Sequence, residues 1–220
     1  MTGWRGWASG RRPWLVGVLW LLALLGVYLW WWVAGIWPWS PWEDEYGIFV
    51  ISAVPTLAGA IALYGVLPGM DWIDLQAVTH PHGRDTLAAG VIVVAFAGIP
   101  PLVSWLFEAT DLYLRFVSET RLPPPPTGWF WIWGLEVGAV LGASCAMVGL
   151  LGRLLGPLTA LMSLSALLTI QGERLAPDLI PRVNEPHSAL SVGGAALTVA
   201  LGLAAFRVSR SGVRPLIGRR

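Results

Sequence analysis

Long apolar stretches separated by short polar connections dominate the pattern along the chain. A transmembrane helix needs roughly 20 consecutive, mostly apolar residues. About six stretches approach or exceed that length, at 14–36, 47–68, 86–108, 130–152, 154–171 and 189–207. The connections between them are too short to hold a separate water-soluble domain. We therefore predict an all-α, polytopic membrane protein in which residues 1–220 form a single transmembrane domain.

The composition supports this prediction. Hydrophobic residues make up 55% of the chain and charged residues only 12%, whereas soluble domains carry about 25% charged residues. All 14 basic residues are arginine, which is typical of a GC-rich genome and favours a bacterial source. The expected location is the bacterial cell membrane, with the lipid bilayer as the main partner.

The distribution of arginine predicts the orientation, because basic residues gather in cytoplasmic loops. Four arginines fall on one side of the predicted bundle: Arg115, Arg121, Arg174 and Arg182. The other ten fall on the opposite side, at Arg5, Arg11, Arg12, Arg84, Arg153, Arg207, Arg210, Arg214, Arg219 and Arg220. Both termini are therefore expected in the cytoplasm.

Tryptophan is concentrated after the first apolar run. The segment 28–46 holds six of the 15 tryptophans and ends near the acids Glu43, Asp44 and Glu45. Indole rings prefer the boundary between lipid and water, so this segment is interpreted as an anchor at the outer face. Trp4, in residues 1–13, fits either an interfacial helix or a frayed tail.

Small residues recur at a spacing of four in the fourth run, at Gly134, Gly138, Gly142 and Ala146. Such a stripe lets two membrane helices approach closely. The sixth run offers a matching stripe, at Gly194, Thr198 and Gly202. The mate of the fourth helix is thus predicted to be the sixth, either in the same chain or in a second copy.

Three residues within the runs are candidates for a transport pathway. Glu136 is a carboxylate inside a membrane helix, and such residues usually face the protein interior or a water-filled cavity. The alternative is that Glu136 lies near the outer headgroups and is solvated. Pro100 and Pro101 lack amide donors and must bend the third helix, as a gate or as a simple kink.

No constellation in the sequence indicates catalysis. A Walker A loop, a GxSxG elbow and an HExxH pair are all missing, and Cys145 is the only cysteine. His80 and His82 are too few for a metal site, which usually needs three or four protein ligands. We expect no enzyme activity, no cofactor, no metal and no nucleic-acid partner.

The topology, together with "THPHGRDTLAAGV" at the entry to the third helix and "LGRLLGPLTAL" at the entry to the fifth, resembles the small permease subunits of ABC-2-type transporters. Actinobacterial bacitracin and lantibiotic exporters are similar examples. The resemblance implies that the connection 71–85 couples to a separate ABC-type ATPase, and that segment 171–187 is re-entrant. The candidate coupling residues are Asp71, Trp72, Asp74, His80, His82 and Arg84.

The leading hypothesis is therefore a permease subunit that exports a hydrophobic or amphipathic compound or a peptide. A second copy, or a similar permease subunit, would complete the pathway. The alternative is a non-catalytic membrane subunit or assembly factor of a larger membrane complex. Apolar helix surfaces without a polar interior would favour this alternative.

Overall fold

The computed structural model describes residues 13–36, 45–66, 82–110, 127–151 and 189–210, together with Leu158 and Met162. Within these ranges the chain forms six α-helices and no strand. They are α1 (Pro13–Ile36), α2 (Glu45–Val66), α3 (His82–Ala97), α4 (Ile99–Ala109), α5 (Thr127–Leu151) and α6 (Ala189–Arg210). The prediction of an all-α fold is confirmed for this part of the chain.

Two of the helices are long and apolar enough to cross a membrane, in the segments Pro13–Trp30 of α1 and Phe130–Val148 of α5. A third span results if α3 and α4 are counted together as one bent helix. The apolar parts of the other two helices are shorter, at Ile51–Gly65 in α2 and Val192–Val208 in α6. The structure therefore describes a helical protein with two or three helices able to span a membrane.

Helix α5 lies at the centre of the bundle and packs against α2, α3, α4 and α6. Its most extensive neighbour is α6, while α1 packs mainly against α2. The fully buried side chains include Trp133 and Leu141 of α5, Phe96 of α3 and Phe206 of α6. Because most of α5 is covered by its neighbours, a polar residue on one of its buried faces is surrounded by protein.

The third apolar run is broken, whereas the sequence predicts one helix over 86–108. Helices α3 and α4 meet at Gly98 with a bend of 41°. Pro100 and Pro101 occupy the first turn of α4, where a missing amide hydrogen is tolerated best. The carbonyls of Phe96 and Ala97, four residues earlier, consequently lose their helical donors.

A side chain of α1 reaches this break. The indole N–H of Trp20 donates a hydrogen bond to the carbonyl oxygen of Ala95, at 2.9 Å. Near the end of α1, the ring of Tyr28 also lies 5.1 Å from the ring of Phe107 on α4. Helix α1 therefore holds both arms of the bent pair, one through a hydrogen bond and one through a ring contact.

The Trp20→Phe substitution is expected to destabilise the bundle by about 1 kcal/mol, since it removes the donor to Ala95 and keeps most of the apolar contact. Thermal unfolding of the purified protein in detergent measures the effect. Trp14→Phe is the control, because Trp14 lies on the same helix and is 63% exposed. Equal unfolding midpoints for the two variants would contradict the proposed role of Trp20.

Several sequence-based predictions concern segments outside the described residues. These are the interfacial segment 1–12, the tryptophan-rich segment 37–44, most of the fifth run 154–171 and the segment 171–187. Leu158 and Met162 are the described members of the fifth run, and both are helical and exposed.

Candidate functional site

A carboxylate lies between two helices in the interior of the bundle. Glu136 of α5 is only 8% exposed, and the hydroxyl of Ser52 on α2 donates a hydrogen bond to its Oε2 at 3.2 Å. Ser52 itself is 1% exposed. The contact joins residues 84 positions apart, so it fixes how α2 and α5 are placed against each other.

Helix α2 presents a second hydroxyl on the same face. Thr56 follows Ser52 by four residues, and side chains at that spacing lie one above the other on a helix. Thr56 is completely buried, and its Oγ1 has no hydrogen-bond partner among the described residues. A buried hydroxyl without a partner costs about 1–3 kcal/mol, so this position is a marked exception to normal packing.

The backbone next to these hydroxyls also lacks one of its helical hydrogen bonds. Pro55 lies inside α2, and proline has no amide hydrogen to donate to the carbonyl four residues earlier. The carbonyl oxygen of Ile51 therefore lacks its helical donor. As a result, a short stretch of α2 carries a freed carbonyl and two hydroxyls, and one of these hydroxyls, that of Ser52, contacts Glu136.

The position of Glu136 favours one of the two interpretations of the sequence. Helix α5 begins at Thr127, so Glu136 lies roughly 14 Å along a helix that rises 1.5 Å per residue. Together with its 8% exposure, this depth places the carboxylate in the protein interior and not at a helix end. A charged group in that position needs polar partners, which Ser52 provides in part.

The small residues of α5 face two different neighbours inside the same chain. A Cβ atom on Gly134 would lie 2.6 Å from the carbonyl oxygen of Ala97, at the end of α3. A Cβ on Gly142 would lie 2.7 Å from Cα of Val199, on α6. Gly142 also meets Gly202, where an added Cβ would overlap the carbonyl group of Gly142.

The rest of the two stripes packs less closely. A Cβ on Gly138 would make only ordinary contacts, 3.5 Å from Cβ of Ala97. Ala146 is half-buried, and Gly194 on α6 has no atom within 4 Å of a Cβ built on it. The mate of α5 is thus α6 of the same chain, over Gly142 and Gly202.

The candidate coupling residues Asp71, Trp72, Asp74 and His80 lie outside the described residues. His82 is the first residue of α3, and Arg84 is half-buried in its first turn. Asp85, beside Arg84, is only 3% exposed. A carboxylate in the first turn of a helix interacts favourably with the helix dipole, so Asp85 suits this position.

Pro100 and Pro101 of the candidate pathway lie at the bend and touch the glycine stripe. Pro100 is buried, and a Cβ on Gly134 would lie 3.2 Å from the ring of Pro101. The prolines therefore pack against one end of α5, while Glu136 faces α2. The three candidate pathway residues do not form one contiguous polar surface.

Sequence reasoning missed the hydroxyl partners of Glu136. Two polar residues four apart within an apolar helix, Ser52 and Thr56, were a readable signal. Their pairing with α5 could not be predicted from the sequence, because it depends on how distant segments of the chain pack together. Among the described residues, no group of three His, Cys, Asp or Glu side chains could hold a metal ion.

Comparison of the chain with protein-family models, with curated proteins and with solved structures finds no match.

Proposed function

We propose that the chain is the membrane-spanning permease subunit of an ATP-driven, ABC-2-type transporter. The observation that carries the proposal is Glu136, a carboxylate buried between α2 and α5 in a bundle of apolar helices. Ionisable residues within membrane helices are costly and commonly belong to solute or ion pathways. A purely structural bundle could fill the same position with an apolar side chain.

In this proposal the chain crosses a bacterial cell membrane six times and has both termini in the cytoplasm. Its substrate is a hydrophobic or amphipathic compound or a peptide, and the direction is export. A separate ABC-type ATPase docks on the segment 71–85 and the first turn of α3, where Arg84 and Asp85 lie. A second copy of the chain, or a similar permease subunit, completes the pathway.

Purification of the tagged chain from its native membranes tests the proposal. An ATPase subunit with a Walker A sequence is expected in the purified material, and the complex is expected to hydrolyse ATP. The matched control is a tagged membrane protein of similar size that is expressed at the same level. Reproducible purification of the intact chain without any ATPase would contradict the proposal.

The second candidate is a non-catalytic membrane subunit or assembly factor of a larger complex. It is favoured by the extensive apolar surface of α1, where six large apolar side chains are at least 43% exposed: Trp14, Val18, Leu21, Leu22, Leu25 and Leu29. Other subunits of a complex could cover this surface as well as lipid does. In the same purification, several membrane proteins without an ATPase would favour this candidate.

A further inference from the structure

The exposed aromatic side chains of the bundle lie at two levels along the helices. Among the residues whose side chains the structure describes, five aromatic rings are at least 37% exposed: Trp14 and Trp30 on α1, Tyr64 on α2, Trp105 on α4 and Trp131 on α5. All five are tryptophan or tyrosine, whereas the phenylalanines of the same set are buried. Indole and phenol rings favour the boundary between lipid and water, so their levels indicate where such a boundary crosses the bundle.

Two of these rings form the first belt, at the start of α1 and the end of α2. A Cβ atom on Gly65 would lie 3.0 Å from the side chain of Leu15. Trp14 directly precedes Leu15, and Tyr64 directly precedes Gly65. Both rings of the first belt therefore lie at the same end of the bundle.

The other three rings form the second belt. Trp30 and Trp105 are each two residues from a partner in the contact of Tyr28 with Phe107, whose ring centroids are 5.1 Å apart. On α5, Trp131 lies three residues before Gly134, where an added Cβ would be 3.2 Å from the ring of Pro101 on α4. These contacts place the three rings within roughly one helical turn of the same level.

The surface between the belts is aliphatic on α1. Its exposed large side chains there are Val18, Leu21, Leu22, Leu25 and Leu29. The exposed charged side chains of the described set, Glu108 and Arg207, lie near the ends of α4 and α6. Interfaces with other proteins carry about one hydrogen bond per 100–200 Å², and this surface offers no side chain that could make one.

We propose that the exposed face of α1 contacts the acyl chains of a lipid bilayer, and that the two belts mark the boundaries of that bilayer. Trp14 and Trp30 are separated by roughly 24 Å along the helix, somewhat less than the hydrocarbon core of about 30 Å. Flanking side chains that reach outward compensate for such a difference. The proposal is independent of ATP-driven transport, and it assigns to lipid the surface that another subunit could otherwise cover.

The belts also give the depth of the buried carboxylate. Glu136 follows Trp131 by five residues on α5, which is roughly 7.5 Å along the helix. Half of the hydrocarbon core measures about 15 Å. The hydrogen bond between Ser52 and Glu136 therefore lies in the half of the bilayer next to the second belt.

Nitroxide labels on single cysteines in the full-length Cys145→Ala chain test the proposal. The protein is purified from native membranes with any bound subunits and reconstituted in vesicles of phosphatidylethanolamine and phosphatidylglycerol. Leu22→Cys lies midway between Trp14 and Trp30 on α1. Since oxygen concentrates in hydrocarbon and a polar nickel chelate stays in water, we expect this label to collide several times more often with oxygen than with the chelate.

Thr110→Cys is the control, because Thr110 is exposed just beyond α4, and its label is expected to collide more often with the chelate. A Leu22→Cys label that neither reagent reaches would overturn the proposal, because a subunit then covers α1. More frequent collisions with the chelate than with oxygen would also overturn it, because the face then meets water. If Leu22→Cys does not fold, Val94→Cys on α3 is judged by the same outcomes, since Val94 is 70% exposed.

The positions of the belts are tested in the same vesicles. Labels at Trp14→Cys and Trp30→Cys are expected closer to water than the label at Leu22→Cys, one on each side of the bilayer. Equal depths for all three labels would overturn the assignment of the boundaries.

Discussion

Gly142→Ala is expected to lower the midpoint of thermal unfolding by roughly 5–10 °C, as overpacking in a chain of this size typically does. The added methyl group would lie 2.7 Å from Cα of Val199 and 3.2 Å from the carbonyl oxygen of Thr198. Both are backbone atoms, which cannot rotate away as a side chain can. Helix α6 must therefore shift as a whole and lose contact with α5.

Gly138→Ala is the control on the same helix. Its methyl group would make contacts of 3.5 Å and 4.0 Å with side-chain atoms of Ala97 and Val199, so its midpoint is expected within about 2 °C of the original. Tryptophan fluorescence in detergent follows the unfolding of both variants. Equal stability of Gly142→Ala and Gly138→Ala would contradict the close backbone contact between α5 and α6 at Gly142.

Glu136→Ala is expected to destabilise the bundle by about 2–4 kcal/mol. The substitution removes the acceptor of the Ser52 hydroxyl and leaves a cavity between α2 and α5, and both effects cost free energy. Glu136→Gln keeps the volume and an acceptor oxygen, so we expect it to cost less than half as much. Thermal unfolding of the purified variants in detergent measures the effect.

The control for this series is Glu108→Ala. Glu108 is an exposed glutamate near the end of α4, and exposed substitutions usually change stability by less than about 0.5 kcal/mol. Equal stability of Glu136→Ala and Glu108→Ala would show that the carboxylate of Glu136 is not enclosed between α2 and α5.

The helices themselves were largely predictable from hydropathy. The runs 14–36 and 130–152 correspond to α1 and α5 within about two or three residues, because uninterrupted apolar sequences of that length favour a single helix. The third run was less predictable. Its prolines signalled a bend, but the position of the break at Gly98 depends on contacts with Trp20 and Gly134 from other helices.

The candidate site was predictable only in part. Glu136 stands out in the sequence because an isolated carboxylate in an apolar run is rare. Its environment does not follow from the sequence, since solvation at a helix end and burial between helices give the same local pattern. The sequence also left open whether α5 packs against a helix of the same chain or of a second copy, because the spacing of small residues alone cannot identify the partner of Gly142.

The contact of Trp20 with Ala95 limits how the chain can be divided. Two carbonyls at the bend between α3 and α4 have lost their helical donors to Pro100 and Pro101, and hydrocarbon offers no donor in exchange. Helix α1 brings an indole N–H to the neighbouring carbonyl of Ala95. A fragment that begins after α1 would lose this donor next to the bend, so we expect the first helix and the bent pair to be stable only when they fold together.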